Sequence, residues 1–154
     1  MTNTLPHDFL LAHSELLLAS YRQLLGTPLL PDAADADTPA QRLFNAPFAL
    51  LSHGTEDDPI FNYANACALQ LFELEFAELS TLPSRLSAEP ALREEREQLL
   101  ARVTQFGFID NYQGIRISKS GRRFLIRNAI VWNLFDAQQV YRGQAACFHD
   151  WLYV

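Results

Sequence analysis

The chain has 154 residues, 49% of them hydrophobic and 19% charged, with 6 Gly, 8 Pro and 2 Cys. A chain of this length and make-up can bury a core of its own, which excludes a low-complexity, collagen-like or disulfide-framed protein. Its formal net charge of −6 excludes a general nucleic-acid binder, whose affinity rests on neutralising phosphates.

Pro6 to Leu25 is predicted to form an amphipathic helix. Thr4 or Asn3 can cap it, Pro6 suits its first turn, and Gly26 followed by Pro28 stops it. Leu10, Leu17, Leu18, Tyr21, Leu24 and Leu25 recur on one face at helical spacing. Thr27–Pro39, with three prolines and Asp32, Asp35 and Asp37 among alanines, has the composition of a linker. The expected division is an N-terminal helix and linker over residues 1–39 and a core over 40–154.

Within the core, Pro47–Ser52 and Ile60–Ala64 are predicted strands on either side of the acidic turn Gly54–Pro59. Asn65 can cap a helix running to about Glu73, and a short helical piece follows at Glu75–Leu79. Ser87 has the character of a cap for a long helix, with Pro90 in its first turn and Gly107 past its end. Leu92, Leu99, Leu100, Val103 and Phe106 keep helical spacing there, while Arg93, Glu94, Glu95 and Glu97 make a solvated face. Three predicted strands close the chain: Phe108–Ser118, Arg122–Phe135 and Val140–Trp151. A bulge is expected at Gln113–Gly114 and a turn at Ser120–Gly121. In the middle strand Phe124, Ile126, Ile130, Trp132 and Leu134 share one parity and Arg127 and Asn133 the other, which predicts opposite faces. Strands joined by tight turns make an antiparallel meander, so the fold class is α+β.

Charge divides the chain. Residues 1–84 carry eleven acidic side chains and two basic ones, Arg22 and Arg42, whereas residues 85–154 carry seven acidic and ten basic. All basic residues but Lys119 are arginines, which favour planar, bidentate partners. Either the two halves attract each other within the molecule or some guanidiniums hold an anion. Cys67 and Cys147 form no C-x-x-C pair and lie in apolar stretches, as small buried hydrophobes do. The N-terminus lacks the charged n-region of a signal peptide. No window reaches the length of apolar sequence that a membrane span requires, so a cytoplasmic location is expected.

This order of elements resembles the PAS topology, a five-stranded antiparallel sheet with helices on one face, here joined to an N-terminal amphipathic helix. Asp58-Pro-Ile-Phe-Asn-Tyr-Ala-Asn65 resembles the second PAS strand, whose closing Asn starts the next helix. More narrowly, the chain resembles the MEKHLA domain, a PAS-like family of bacterial proteins and of the C-terminus of plant homeodomain–leucine-zipper regulators. The stretches that carry this likeness are Ala46–Gly54, Phe61–Asn65, Leu82–Pro90, Gly107–Tyr112, Gly114–Ser118, Gly121–Phe124, Val131–Asn133 and Gly143–Ala146. The resemblance as a whole runs from about residue 8 to 151.

Within PAS, the light-sensing LOV branch carries an Asn-Cys-Arg signature that falls on Pro83-Ser84-Arg85. A serine hydroxyl is too weak a nucleophile to replace the thiol, so no LOV-type cysteine adduct is expected. Arg85 matches the LOV arginine that faces the flavin phosphate, and Asn111-Tyr112 resembles the Asn-Tyr of the LOV third strand. Ile126, however, stands where LOV has the Asn of Phe-Trp-Asn. The resemblance settles no cofactor, and flavin is the one it raises.

The candidate ligand contacts are His53, Ser84, Arg85, Asn111, Asn128, Trp132 and Gln144. Asn128 interrupts the apolar parity of its strand, so its amide needs either a structural hydrogen bond or a ligand. Trp132 is either a core aromatic or a platform for a planar ligand. Pro83 and Pro90 stiffen the backbone around Ser84 and Arg85. There Arg85 either pairs with a local acid such as Glu78 or Glu89 or clamps an anion at the cavity mouth. His53 either contacts ligand or binds a backbone carbonyl, and Gln144 begins the last strand, where PAS domains often read their ligand. Arg116, Lys119, Arg122 and Arg123 cluster at one hairpin, as a solvated turn or a site for an acidic partner or phosphate.

No metal site is expected, since His7, His13, His53 and His149 show no zinc spacing. No G-x-S-x-G, P-loop or dinucleotide motif occurs. The expected function is a non-catalytic sensory or binding module that takes a small molecule between sheet and helices. With no kinase, DNA-binding or cyclase segment in these residues, its output would pass to a protein partner, or to a homodimer through the N-terminal helix and sheet. Neither nucleic acid nor membrane is an expected partner. Two alternatives stand beside it. One is a ligand-free interaction module whose core is filled by Phe61, Leu69, Phe72, Phe124 and Trp132. The other is a small enzyme using Asp110, Arg85 or His53 as acid–base groups.

Overall fold

A computed structural model describes residues 7–30, 38–88 and 93–154. The first helix, α1 (His7–Leu25), stops where predicted, with Arg22 in its last turn and Gly26 beyond it at φ 79°. The expected caps at Asn3 and Thr4, Pro6, and linker residues 31–37 lie outside the described residues. A short helix that composition concealed, α2 (Pro39–Phe44), opens the core. Thr38 caps it reciprocally: its Oγ1 accepts from Gln41 N at 3.2 Å, and Gln41 Oε1 accepts from Thr38 N at 2.9 Å.

Strands β1 (Ala49–His53) and β2 (Phe61–Ala64) pair antiparallel, and Asn65 joins β2 to α3 (Ala66–Phe72). The Asn65 amide is fully buried and fully used. Its Oδ1 accepts from Ala68 N and Leu50 N, each at 3.1 Å, while Nδ2 donates to Leu43 O at 3.1 Å and Phe48 O at 2.8 Å. One side chain thus fastens α2, the entry to β1 and the start of α3. After α4 (Phe76–Leu79) comes a 3-10 turn, Ser84–Ser87. Ser87 closes that turn, its hydroxyl donating to Ser84 O at 2.7 Å. The onset of the long helix, with Glu89, Pro90 and Leu92, lies outside the described residues, and α5 (Arg93–Phe106) runs from there to Gly107.

The meander consists of β3 (Phe108–Ile117), β4 (Arg123–Phe135) and β5 (Tyr141–Phe148), continued by β6 (Asp150–Tyr153). The antiparallel order is β2-β1-β5-β4-β3, and β6 pairs with β4. The last predicted strand is interrupted at His149, yet its register along β4 is continuous: Cys147 opposes Ile130 and Asp150 opposes Arg127. The five-stranded sheet is therefore the predicted one, with β6 as the tail of its fifth strand.

Bulges fall at Asn111 (φ 60°) and Asn128 (φ 54°), the second facing the Tyr112–Gly114 step where one is expected, with its extra residue on β4. Between the pairs Ile109–Val131 and Tyr112–Ala129, β3 holds one extra residue; between Tyr112–Ala129 and Gly114–Ile126, β4 does. The side-chain alternation of β4 inverts at Asn128. Phe124, Ile126 and Ala129 pack with α3 and α4 on one face, whereas Trp132 and Leu134 pack on the other. The predicted single parity from Phe124 to Leu134 is thereby corrected, and Asn133 turns toward α5, donating to Val103 O at 2.9 Å.

Both faces of the sheet are covered. Phe61, Leu69, Phe72, Phe124, Ile126 and Phe148 fill the space beneath α3 and α4. On the opposite face, Leu17 and Tyr21 of α1 and Leu43 of α2 pack on Leu50, Tyr63, Trp132 and Cys147. Leu17 is fully buried, and such a side chain contributes about 2 kcal/mol. The apolar stripe of α1 is spent on its own sheet.

Candidate ligand cavity

Between the inner face of the sheet and α5 lies a cavity of about 60 Å³. One part of its wall is apolar, from Leu51, Phe61, Ile126, Val131 and Phe148; the other carries His53, Ser87, Arg96, Tyr112, Arg116 and Gln144. A water molecule needs roughly 10–15 Å³ by this kind of measure, so the space accepts a ligand of a few non-hydrogen atoms.

His53 and Gln144 are cross-strand partners on β1 and β5. The two strands approach closely at Gly143 (φ 127°), where a Cβ would lie 2.0 Å from His53 O, so only glycine fits. His53 Nδ1 is 3.0 Å from Gly54 O and donates to it. That bond makes Nε2 the acceptor, and Nε2 is buried without a partner. Burial pushes the His53 imidazole below its ordinary value, and the charge of Arg96 adds to this, against the Gly54 carbonyl and the neighbouring Gln144 amide, which raise it. Gln144 Nε2 donates toward Leu100 O and Thr104 Oγ1, each at 3.1 Å, and toward Asn133 Oδ1 at 3.0 Å. With Asn133 bound to Val103 O, two amides fasten α5 to the sheet.

Two arginines complete the polar wall. Arg96 on α5 donates to Ser84 Oγ. Arg116 on β3 donates to Ile115 O at 2.9 Å and Tyr112 Oη at 3.0 Å, with its guanidinium 5.5 Å from the Tyr112 ring centre. They are only 6% and 9% exposed. Burial, then the like charge of Arg116, hold the Arg96 guanidinium down at about 10, so it is still protonated at neutral pH.

Sequence reasoning missed both. Arg96 completes the helical spacing of Leu92, Leu99 and Val103, a gap that could have marked it as inward. Arg116 belongs to a hairpin cluster that reads as a solvated turn or a site for an acidic partner or phosphate, yet it lies opposite the core residue Phe124. Its hairpin neighbours do stay outside: Lys119 pairs with Glu78, and Arg122 sits 3.3 Å from the Tyr153 ring centre.

Of the candidate contacts, the structure brings His53 and Gln144 to the cavity, with Ser84 behind them as the partner of Arg96. Arg85 lies on the surface and pairs with a local acid, its Nε 3.1 Å from both carboxylate oxygens of Asp58; Glu89 lies outside the described residues. Asn111 and Asn128 are exposed at the bulges, which corrects the placement of Asn128 on a buried face. Trp132 faces α1, not the cavity, and stands edge-on to Tyr21 with ring centres 5.0 Å apart. Asp110 is exposed and does not line the cavity.

The residues present do not fit a flavin. The volume of about 60 Å³ is far below the roughly 300 Å³ at which pockets for larger ligands begin, and Arg85 points away from it. Neither Cys67 nor Cys147 lines the cavity. Among the described residues, no cluster of His, Cys, Asp or Glu is placed to hold a metal ion. No helix among them is long and apolar enough to cross a membrane.

The family model of the MEKHLA domain matches residues 11–153. The chain belongs to the MEKHLA domain family. This MEKHLA domain is 25% identical over 136 residues to the homeobox-leucine zipper protein HOX9 of Oryza sativa subsp. indica, with 88% of the chain aligned. It spans 16% of that protein's length. Among solved structures, the PAS domain of a Colwellia psychrerythraea protein superposes with a TM-score of 0.62 at 13% identity, covering 72% of this chain and 92% of that one. A light-oxygen-voltage domain solved in work on a flavin analogue superposes with a TM-score of 0.60 at 14% identity, covering 79% and 88%. At these identities the two structures establish the PAS-like fold of the MEKHLA domain and nothing more.

Proposed function

We propose that this MEKHLA domain is a non-catalytic sensory or binding module that takes a small molecule into the cavity and passes its occupancy to a protein partner. The observation that carries this reading is a partly open space between sheet and helix whose polar wall includes a buried acceptor, His53 Nε2, without a well-formed hydrogen bond. Arg85 and Asp110 stand away from His53, so they form no acid–base pair with it at the cavity.

The output route is the outer face. Val131 and Gln144 line the cavity, while their neighbours Trp132 and Ala145 pack in the cluster beneath α1. Ser14 Oγ, Tyr63 Oη and Trp132 Nε1 are buried in that region without hydrogen-bond partners. Each unsatisfied group costs about 1–3 kcal/mol, which makes α1 the readily displaced element. A homodimer or another partner meets the apolar surface of the sheet once α1, with the rest of the 1–39 arm, moves from the 40–154 core.

Hydrogen exchange of α1 is the test. A ligand found by thermal-shift screening of small molecules is expected to change exchange along His7–Leu25 as well as around the cavity. Binding that leaves α1 exchange unchanged overturns the output route. Failure of every small molecule to bind favours the second reading, a ligand-free interaction module. The small cavity speaks for that reading, as do Phe61, Leu69, Phe72 and Phe124, which pack in the inner core.

A further inference from the structure

We infer that the cavity receives a small 2-hydroxy carboxylate, its charged head between Arg96 and Arg116 and its hydroxyl donating to His53 Nε2. This rests on the ligand-binding reading above and names the class of ligand.

Charge supplies the first argument. A buried ion is stable only when paired and hydrogen-bonded. Three arginines nearer the surface meet that need with carboxylates: Arg85 with Asp58, Arg127 with Asp150, Arg142 with Asp136. The two buried ones do not. Among the described residues no carboxylate lies within 4.0 Å of Arg96 or Arg116, and their hydrogen-bond partners Ser84, Ile115 and Tyr112 are all neutral acceptors. Asp58 and Glu97 act on Arg96 only at longer range, and the two guanidiniums oppose each other. One anion between them turns that repulsion into two attractions, and the planar guanidinium suits a carboxylate.

The site is also built. Tyr112, Gly114 and Arg116 alternate onto one face of β3, and a Cβ on Gly114 would lie 2.2 Å from Tyr112 Oη. The empty middle position lets the phenol reach Arg116 and aim it. Arg96 is aimed by Ser84, which is itself fixed by Ser84 N donating to Pro59 O at 2.8 Å and by the Ser87 hydroxyl on Ser84 O. No other use of these supports is visible among the described residues.

The remaining polar atom selects within the anions. His53 is 7% exposed and lines the cavity with Nε2 as a buried acceptor that makes no well-formed hydrogen bond, beside the Gln144 amide. A plain carboxylate offers it only another acceptor, whereas a hydroxyl beside the carboxylate offers the missing proton. A volume of about 60 Å³ limits the ligand to the size of glycolate or lactate, and the apolar wall at Leu51 and Phe148 suits a short carbon stub.

The experiment is calorimetric titration of the full chain at constant ionic strength with sodium glycolate, lactate and propionate, lactamide, and sodium chloride as control. Arg96→Met and Arg116→Met are titrated in parallel. Glycolate or lactate is expected to bind saturably, propionate at least tenfold more weakly, and lactamide and chloride not at all. Either arginine variant is expected to weaken the hydroxy acid at least tenfold. Should a variant fail to fold, the wild-type series decides alone, with arginine Nε–Hε NMR signals locating the site by their shifts. Propionate binding as tightly as lactate overturns the His53 assignment. Lactamide binding without the carboxylates overturns the anion while leaving the ligand-binding reading intact. If neither acids nor amide bind and no other small molecule does, both readings fall.

Discussion

Asn111 on β3 and Asn128 on β4 cancel each other: each inserts one residue in left-handed conformation, and the register lost at one is regained at the other. The pair lets β4 serve two cores, presenting Phe124 and Ile126 to one and Trp132 and Leu134 to the other. The ligand cavity and the α1 contact are thereby placed on opposite faces of the same strand.

This geometry rests on residues that tolerate positive φ. Asn128 is exposed, so substitution there removes little packing. Asn128→Gly is expected to change stability by less than about 0.5 kcal/mol, because glycine adopts φ 54° freely. Asn128→Val is expected to lose about 1–3 kcal/mol, since a β-branched residue is strained there. Urea denaturation of both variants is the check, and equal midpoints would show that the bulge is not conformationally demanding.

Asn65 carries a larger load. Its truncation to alanine leaves Leu43 O, Phe48 O, Leu50 N and Ala68 N without their partner in a buried region. Asn65→Ala is expected to cost about 3–5 kcal/mol, by the loss of a cap and of a buried network together. Thermal unfolding followed by far-UV circular dichroism measures it. A loss below about 1 kcal/mol would mean that water replaces the amide.

What could be read from the sequence was local. The stop of α1 at Gly26, the Asn65 cap and the three-stranded meander each carry their own short-range signal. The α2 helix carried one too, Thr38 and Gln41 in capping-box spacing, masked by the Pro- and Asp-rich stretch around it. The parity of β4 was not legible, because the Asn128 bulge exists only through pairing with β3. His53 and Gln144 were recognisable singly, at the end of one strand and the start of another, but their pairing appears only in the sheet register. Arg96 and Arg116 were not, because a charged side chain among charged neighbours reads as solvated until the strand register and helix face are known.

Cys147 reports on α1. Burial between α1 and the sheet pushes its thiol up to about 12, so little thiolate forms at pH 8. Cys67 is half-buried, its thiol also raised by burial. Iodoacetamide is expected to modify Cys67 first, with Cys147 reacting at least tenfold more slowly until urea opens the fold. Mass spectrometry over time separates the two sites. Cys147 reacting faster than global unfolding allows would measure how often α1 lifts.

His13 makes that lifting pH-dependent. Ser52 donates its proton to Asn62 Oδ1 at 2.6 Å, so His13 Nε2, 2.8 Å from Ser52 Oγ, must be the donor in their bond. The neutral ring lies between Phe9 and Tyr63, with centres 5.0 and 5.4 Å away. Burial pushes its value from 6.5 to about 4. A depressed histidine binds its proton more readily when unfolded, so its contribution is complete above pH 6.5 and is lost as pH falls toward 4. The full loss is about 3 kcal/mol. His53, lowered in the same direction, adds to the slope, which makes His13→Gln the necessary comparison. Urea midpoints from pH 8 to 4 are expected to fall more steeply for the wild type than for His13→Gln, with most of the difference below pH 6.5. Parallel curves would mean that His13 is protonated without disturbing α1.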